Sequence, residues 1–137
     1  MTAAVDSSVI VAAFAGWHED HQVALRTLAT RHPRLIGHCA LESYSVLTRL
    51  PFPNRARGSL VAEFLTAQFP EAALSPSAGL WASAFGVFRD AGIRGGAVYD
   101  ALVALVAAEN NLELLRLDRR AQQTYRACSV NYRLLRS

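Results

Sequence analysis

The chain has 137 residues, 52% of them hydrophobic and 18% charged, which suits one domain over residues 1–137 with a full core and leaves no room for a second. Its net charge of +3 rests on 14 basic residues that are all arginine, a usage that genomic base composition alone can produce but that also suits phosphate and carboxylate partners. Cys39 and Cys128 stand in no CxxC or CxxH spacing, which argues against a zinc site and against a disulfide scaffold.

Along the chain, Thr2 to Val5 reads as a buried strand, Asp6-Ser7-Ser8 as a polar capping step, and the run from Val9 as a helix. That apolar run, Val9 to Trp17, follows an aspartate and not a basic segment, and is too short to cross a bilayer. A soluble cytoplasmic protein without a membrane partner is expected. Glu19 to Thr30 is a helix stopped by His32-Pro33, Arg34 to Gly37 a strand, and about Ala40 to Leu50 a helix ended by Pro51 and Pro53. Ser59 to Phe69 is amphipathic and closed by Pro70, Ala72 to Leu74 is a short strand, and Ser75-Pro76-Ser77 opens a helix that Gly92 ends. Gly95-Gly96 precedes a helix to about Glu109 that reads as wholly buried apart from Asp100, with Val98, Leu102, Leu105 and Val106 in the core. Glu113 to Leu117 is a strand, Asp118 starts another helix, and Val130 to Leu134 is the last strand. Short strands alternating with longer helices, without hairpin turns, predict an α/β domain whose mainly parallel sheet is covered on both faces.

Four of the 11 acidic residues lie in apolar surroundings: Asp6 in AAVDSSVIV, Glu42 in HCALESYSVL, Asp100 in GGAVYDALVAL and Asp118 in LLRLDRRA. Singly, each has a structural explanation as a helix cap or a first-turn carboxylate. Together they point elsewhere. Asp6 and Asp118 follow strands directly and Glu42 lies one helical turn after one, so a parallel sheet steers all three to the edge where its strands end and ligands bind. Asp100 follows a glycine loop with no clear strand before it. Converging carboxylates repel and cannot all stay ionised without positive charge, which hard divalent cations such as Mg²⁺ provide. Such ions activate water and stabilise the leaving oxygen of a phosphodiester, so these residues point to metal-dependent phosphodiester hydrolysis.

An N-terminal strand followed by DSSVIVAAF, a mid-chain helical Glu, GIRGGAVYDALVAL and then LELLRLDRRAQQTYRA resembles the PIN-domain ribonucleases, specifically the VapC toxins of type II toxin-antitoxin pairs, over the length of the chain. The resemblance implies a three-layer α/β/α fold with a short parallel sheet. It implies a Mg²⁺- or Mn²⁺-dependent endoribonuclease that cuts single-stranded regions of structured RNA, tRNA or rRNA, and so inhibits translation and growth. By position, Asp6, Glu42, Asp100 and Asp118 are its catalytic and metal-binding residues; Ser7 and Ser8 match the small polar residues after the first acid, with Ser7 read as a helix cap. A VapB-like antitoxin and a homodimer are the implied partners, and the high apolar content agrees with a covered surface.

Arg94, beside Gly95 and Gly96, is the candidate RNA-backbone contact, since glycines let a phosphate approach closely. Arg116, Arg119 and Arg120 flank Asp118 and read as surface charge or phosphate contacts. His18 and His21 are spaced i, i+3 but lack a third ligand, and His32 and His38 read as loop residues, His38 close enough to Glu42 to approach the site. Trp17, Trp81, Phe85 and Phe88 read as core or interface. A haloacid-dehalogenase pattern needs an Asp where Ser8 stands, and a receiver domain needs a lysine. The competing non-enzyme reading is a PIN-like binding module whose acidic pocket receives an arginine from a protein partner.

Overall fold

The computed structural model describes residues 2–135; Met1, Arg136 and Ser137, at the ends of the expected 1–137 domain, lie outside the described residues. The chain runs through β1 (Ala3–Val5), α1 (Ser7–Phe14), α2 (His21–Arg31), β2 (Arg34–Leu35), α3 (Gly37–Thr48), α4 (Gly58–Gln68), α5 (Ala78–Ala91), α6 (Ala97–Glu109), β3 (Glu113–Arg116), α7 (Gln122–Ala127) and β4 (Tyr132–Leu134). The four strands lie in the order β2-β1-β3-β4 and every pairing is parallel, with Val5 opposite Leu35 on one side and Leu115 on the other. This is the three-layer α/β/α architecture the sequence predicts.

Helices start and stop where local chemistry demands. Asp6 caps α1 by accepting from the Ser8 amide, and Ser77 caps α5 by accepting from the Leu80 amide. Gly92 takes a left-handed φ of 68° to end α5, and the Ile93 amide closes back on the Phe88 carbonyl. All three residues of β1 are buried, as in a central strand covered on both faces. The core around it is rich in alanine: Ala4, Ala12, Ala24, Ala101, Ala104 and Ala107 are fully buried, and side chains that small let helix backbones lie close to the sheet.

Four local expectations change. The strand expected at Ala72 to Leu74 shrinks to one bridge, Leu74 to Ile36, between Pro70 and Pro76. Its partner strand is short because the Gly37 amide turns to the Leu74 carbonyl and the Ile36 carbonyl accepts from Cys39 and Ala40, so α3 begins at Gly37. The helix expected at Asp118 is delayed to Gln122, because the Asp118 carboxylate accepts from the Arg120 amide at 2.8 Å and shapes a turn first. Finally, α6 is not wholly buried: Ala101 to Ala107 supply its core face, Val98, Leu102 and Leu105 pack partly buried against it, and the first turn opens to solvent at Tyr99.

Candidate active site

The chain runs from β1 to β2 on one side and returns to β3 on the other, so the strand order reverses between β1 and β3. In a parallel sheet the crevice at such a reversal, outside the strand ends, is where ligands bind. Asp6 follows β1 directly, and Asp118 follows β3 by two residues. A cavity of about 780 Å³ opens at this edge, and Asp6, Glu42, Asp100 and Asp118 all line it. Asp100 reaches it from the first turn of α6 and Glu42 from α3.

Asp6 is the deepest of the four. Its backbone amide continues the ladder to the Leu115 carbonyl at 3.1 Å, which fixes the direction in which its side chain leaves the sheet. One carboxylate oxygen, Oδ1, accepts from the Ser8 amide at 3.0 Å and from the Ser8 hydroxyl; the other, Oδ2, accepts from the Tyr125 hydroxyl at 2.9 Å. Burial pushes its pKa up to about 6, against the opposing pull of Ser8, Tyr125 and the charge of Arg116. The Ser8 hydroxyl also accepts from the Leu117 amide at 2.9 Å, tying α1 to the end of β3. Ser7 is not a cap: that position belongs to Asp6, and the Ser7 hydroxyl donates instead to Glu42.

Glu42 lies half-exposed on α3, with His38 Nε2 3.7 Å from its Oε2. His38 is therefore part of the cavity wall and sits on a helix, not in a loop; its ring stacks parallel to Tyr99 with centroids 5.4 Å apart. Asp100 is raised from the usual carboxylate range by burial first and then by the charges of Glu42 and Asp118. Asp118 is shifted the other way. Arg120 grips it through Nη2 at 2.7 Å and Nε at 2.9 Å, and this charge-assisted pairing holds it below its ordinary value.

Several neighbours were not legible beforehand. Arg116, read as surface charge, is fully buried behind the site. Tyr125 is 119 residues from Asp6, a separation no local motif encodes. Arg94 is exposed and does not line the cavity. His18 accepts from the Asp20 amide and His21 contacts the Ala12 carbonyl at 2.9 Å, so both rings brace the turn between α1 and α2. Trp17, Trp81 and Phe85 are exposed whereas Phe88 is in the core. Cys39 and Cys128 are free buried thiols; burial and the nearby carboxylates push Cys39 well above the ordinary thiol range, which leaves it protonated and a poor nucleophile.

The four carboxylates supply only oxygen donors, and Asp100 records the repulsion among them, so the set fits a hard divalent cation in kind. Among the described residues, no three His, Cys, Asp or Glu side chains are gathered closely enough to hold an ion as they stand. Glu42 is engaged by Ser7 and Asp118 by Arg120.

A family model described as PIN domain matches residues 3–127. Over 132 residues, 96% of this chain and 98% of that protein, the sequence is 40% identical to Ribonuclease VapC40 of Mycobacterium tuberculosis. It is 41% identical over 128 residues, 93% of each, to Ribonuclease VapC27 of the same organism.

Proposed function

This chain belongs to the PIN-domain family, among its VapC toxins, and from that membership we propose a metal-dependent endoribonuclease that cuts single-stranded regions of structured RNA, tRNA or rRNA. Its action in the cytoplasm inhibits translation and growth. The observation that carries the reading is the convergence of Asp6, Glu42, Asp100 and Asp118 on one cavity at the β1/β3 edge of the sheet. These four residues would hold Mg²⁺ or Mn²⁺, which would supply positive charge to offset their repulsion and to polarise a scissile phosphate. Asp6 is the fixed member, oriented from both oxygens by Ser8 and Tyr125. Glu42, turned by Ser7 and open to solvent, orients the attacking water or takes its proton. Arg94, exposed before Gly95 with nothing within 4 Å of an added Cβ there, contacts the RNA backbone.

A second reading of the same cavity has its own support. Arg120 already lies across Asp118 in a two-point grip, so the cavity accepts a guanidinium. A VapB-like antitoxin presenting arginines would occupy it in the same manner and block RNA. Exposed Trp81 and Phe85 on α5 and Leu41 on α3 support a surface covered in an assembly, by the antitoxin or by a second copy in a homodimer.

The test is cleavage of purified tRNA and rRNA by the protein with Mg²⁺ or Mn²⁺, with and without a chelator, beside Asp100→Ala. Cleavage that needs the ion and disappears in the variant is expected. Cleavage untouched by chelation, or by loss of Asp100, rules the mechanism out; no cleavage of any RNA leaves the binding-module reading in its place.

A further inference from the structure

Arg116 is a buried cation that forms no ion pair among the described residues, although its charge acts on Asp6 and Asp118 from a distance. It is the largest fully buried side chain among the described residues. No carboxylate among the described residues comes within 4.0 Å of its guanidinium. Its Nη2 donates to Gln122 Oε1 at 3.3 Å, while Nε and Nη1 have no hydrogen-bond partner among the described residues. What surrounds it is aromatic: the guanidinium carbon lies 5.5 Å from the ring centroid of Tyr125 and 5.1 Å from that of Tyr132. Desolvating a guanidinium is costly, and an apolar side chain of the same volume fills such a space at less cost, so packing alone does not account for an arginine here.

The rings it touches lead to the active site. Tyr125, itself buried, donates its hydroxyl to Asp6 Oδ2 at 2.9 Å. A phenol O–H hydrogen prefers the plane of its own ring, so a cation packed against the ring, which resists its turning, also holds the direction in which the hydroxyl donates to Asp6. Asp6 Oδ1 accepts twice from Ser8, whereas Oδ2 accepts only from Tyr125 and keeps a lone pair for a ligand in the cavity.

We propose that Arg116 is a positioning residue for divalent-metal binding: packed against both Tyr125 and Tyr132, it fixes the Tyr125 hydroxyl on Asp6 and thereby the direction in which Asp6 faces the cavity. This rests on the metal-dependent reading of the site given above. The charge of Arg116 is secondary to its plane, because a cation behind the carboxylates by itself opposes a metal ion.

Calorimetric titration of Mn²⁺ into the purified, metal-free protein tests the chain of contacts, with folding of each variant followed by circular dichroism. Arg116→Met is expected to weaken Mn²⁺ binding about tenfold or more, the usual effect of removing a residue that orients a metal ligand, and Tyr125→Phe to weaken it comparably. Because both act through one hydroxyl, the double variant is expected to bind no worse than the weaker single one. Arg116→Lys keeps the charge without the plane and is expected to resemble Arg116→Met. Unchanged or tighter Mn²⁺ binding in Arg116→Met, additive losses in the double variant, or full rescue by lysine each overturn the proposal. If Arg116→Met does not fold, Tyr125→Phe decides, since wild-type affinity there breaks the same chain. Asp6→Asn separates the two levels: if wild-type protein fails to bind Mn²⁺, or Asp6→Asn binds it as well as wild type, the metal-dependent reading itself fails and this inference with it. If those two behave as expected and Arg116→Met and Tyr125→Phe do not, only the role of Arg116 is lost.

Discussion

Asp6 and Asp118 leave adjacent parallel strands at the same edge of one sheet, yet their carboxylates live in opposite surroundings. Asp6 is buried, held by neutral donors, and raised to about 6; Asp118 is partly exposed, gripped by an arginine, and lowered. Topology brought both to the crevice, and solvent access then decided which carries a stable charge. The buried acid is a fixed point that takes up a proton more readily than an ordinary carboxylate. The exposed acid is charged in any case and exchangeable, its partner Arg120 almost fully in water.

The contrast breaks first under Asp6→Asn. Cleavage of RNA is expected to fall roughly a hundredfold or more, as for loss of a ligand and not merely of its support, while the metal-free fold becomes more stable. Asp118→Asn is expected to cost activity similarly and to give no gain in stability. Denaturation midpoints of the two purified variants beside wild type measure the difference; equal stability effects would erase the distinction between the two acids.

The pH dependence sharpens the same point. A carboxyl whose folded-state pKa lies above its unfolded value favours the folded state below about 4, and this contribution is lost as pH rises through about 6. The rise from 3.8 to about 6 corresponds to on the order of 3 kcal/mol of stability lost by neutral pH. Without divalent ions, the stability gap between Asp6→Asn and wild type is therefore expected to open between about pH 4 and 7, and Mn²⁺ to narrow it by binding only wild type well. Urea unfolding across that range reads it directly, and a gap independent of pH contradicts the assigned environment.

The smallest effect is expected from Arg120→Ala. Freed from its partner, Asp118 should titrate closer to an ordinary carboxylate, seen by NMR, and Mn²⁺ binding should tighten by no more than about fivefold, since an exposed pair contributes little. The melting temperature should stay where it is. A loss of affinity would show that Arg120 serves the site instead of competing for it.

Much of this was legible in the chain. DSSVIV after a short apolar run makes Asp6 a strand-end residue and a helix cap by local rules alone, and GGAVYD puts Asp100 in a first helical turn. The carboxylates themselves stood out because charge is rare in apolar segments. The serines and the arginines were harder. Ser7 and Ser8 are neighbours with identical side chains, and only the helix geometry sends one hydroxyl to Glu42 and the other to Asp6 and Leu117. Arg116 sits in LLRLDRR beside two arginines that remain exposed, and strand alternation cannot say that a face is roofed by Tyr125 and Tyr132.

The sequence by itself determined the alternation of strands and helices and the parallel sheet, because each depends on spacing, capping or composition within a short window; the family showed in motifs spread along the whole chain, and the four acids stood out as charges in apolar segments. Only the tertiary structure decided which acid is buried, which is gripped, and what stands behind them. Those properties depend on solvent access and on contacts such as Tyr125 to Asp6, which join residues far apart in the chain and exist only once the sheet and its helices have closed around one crevice.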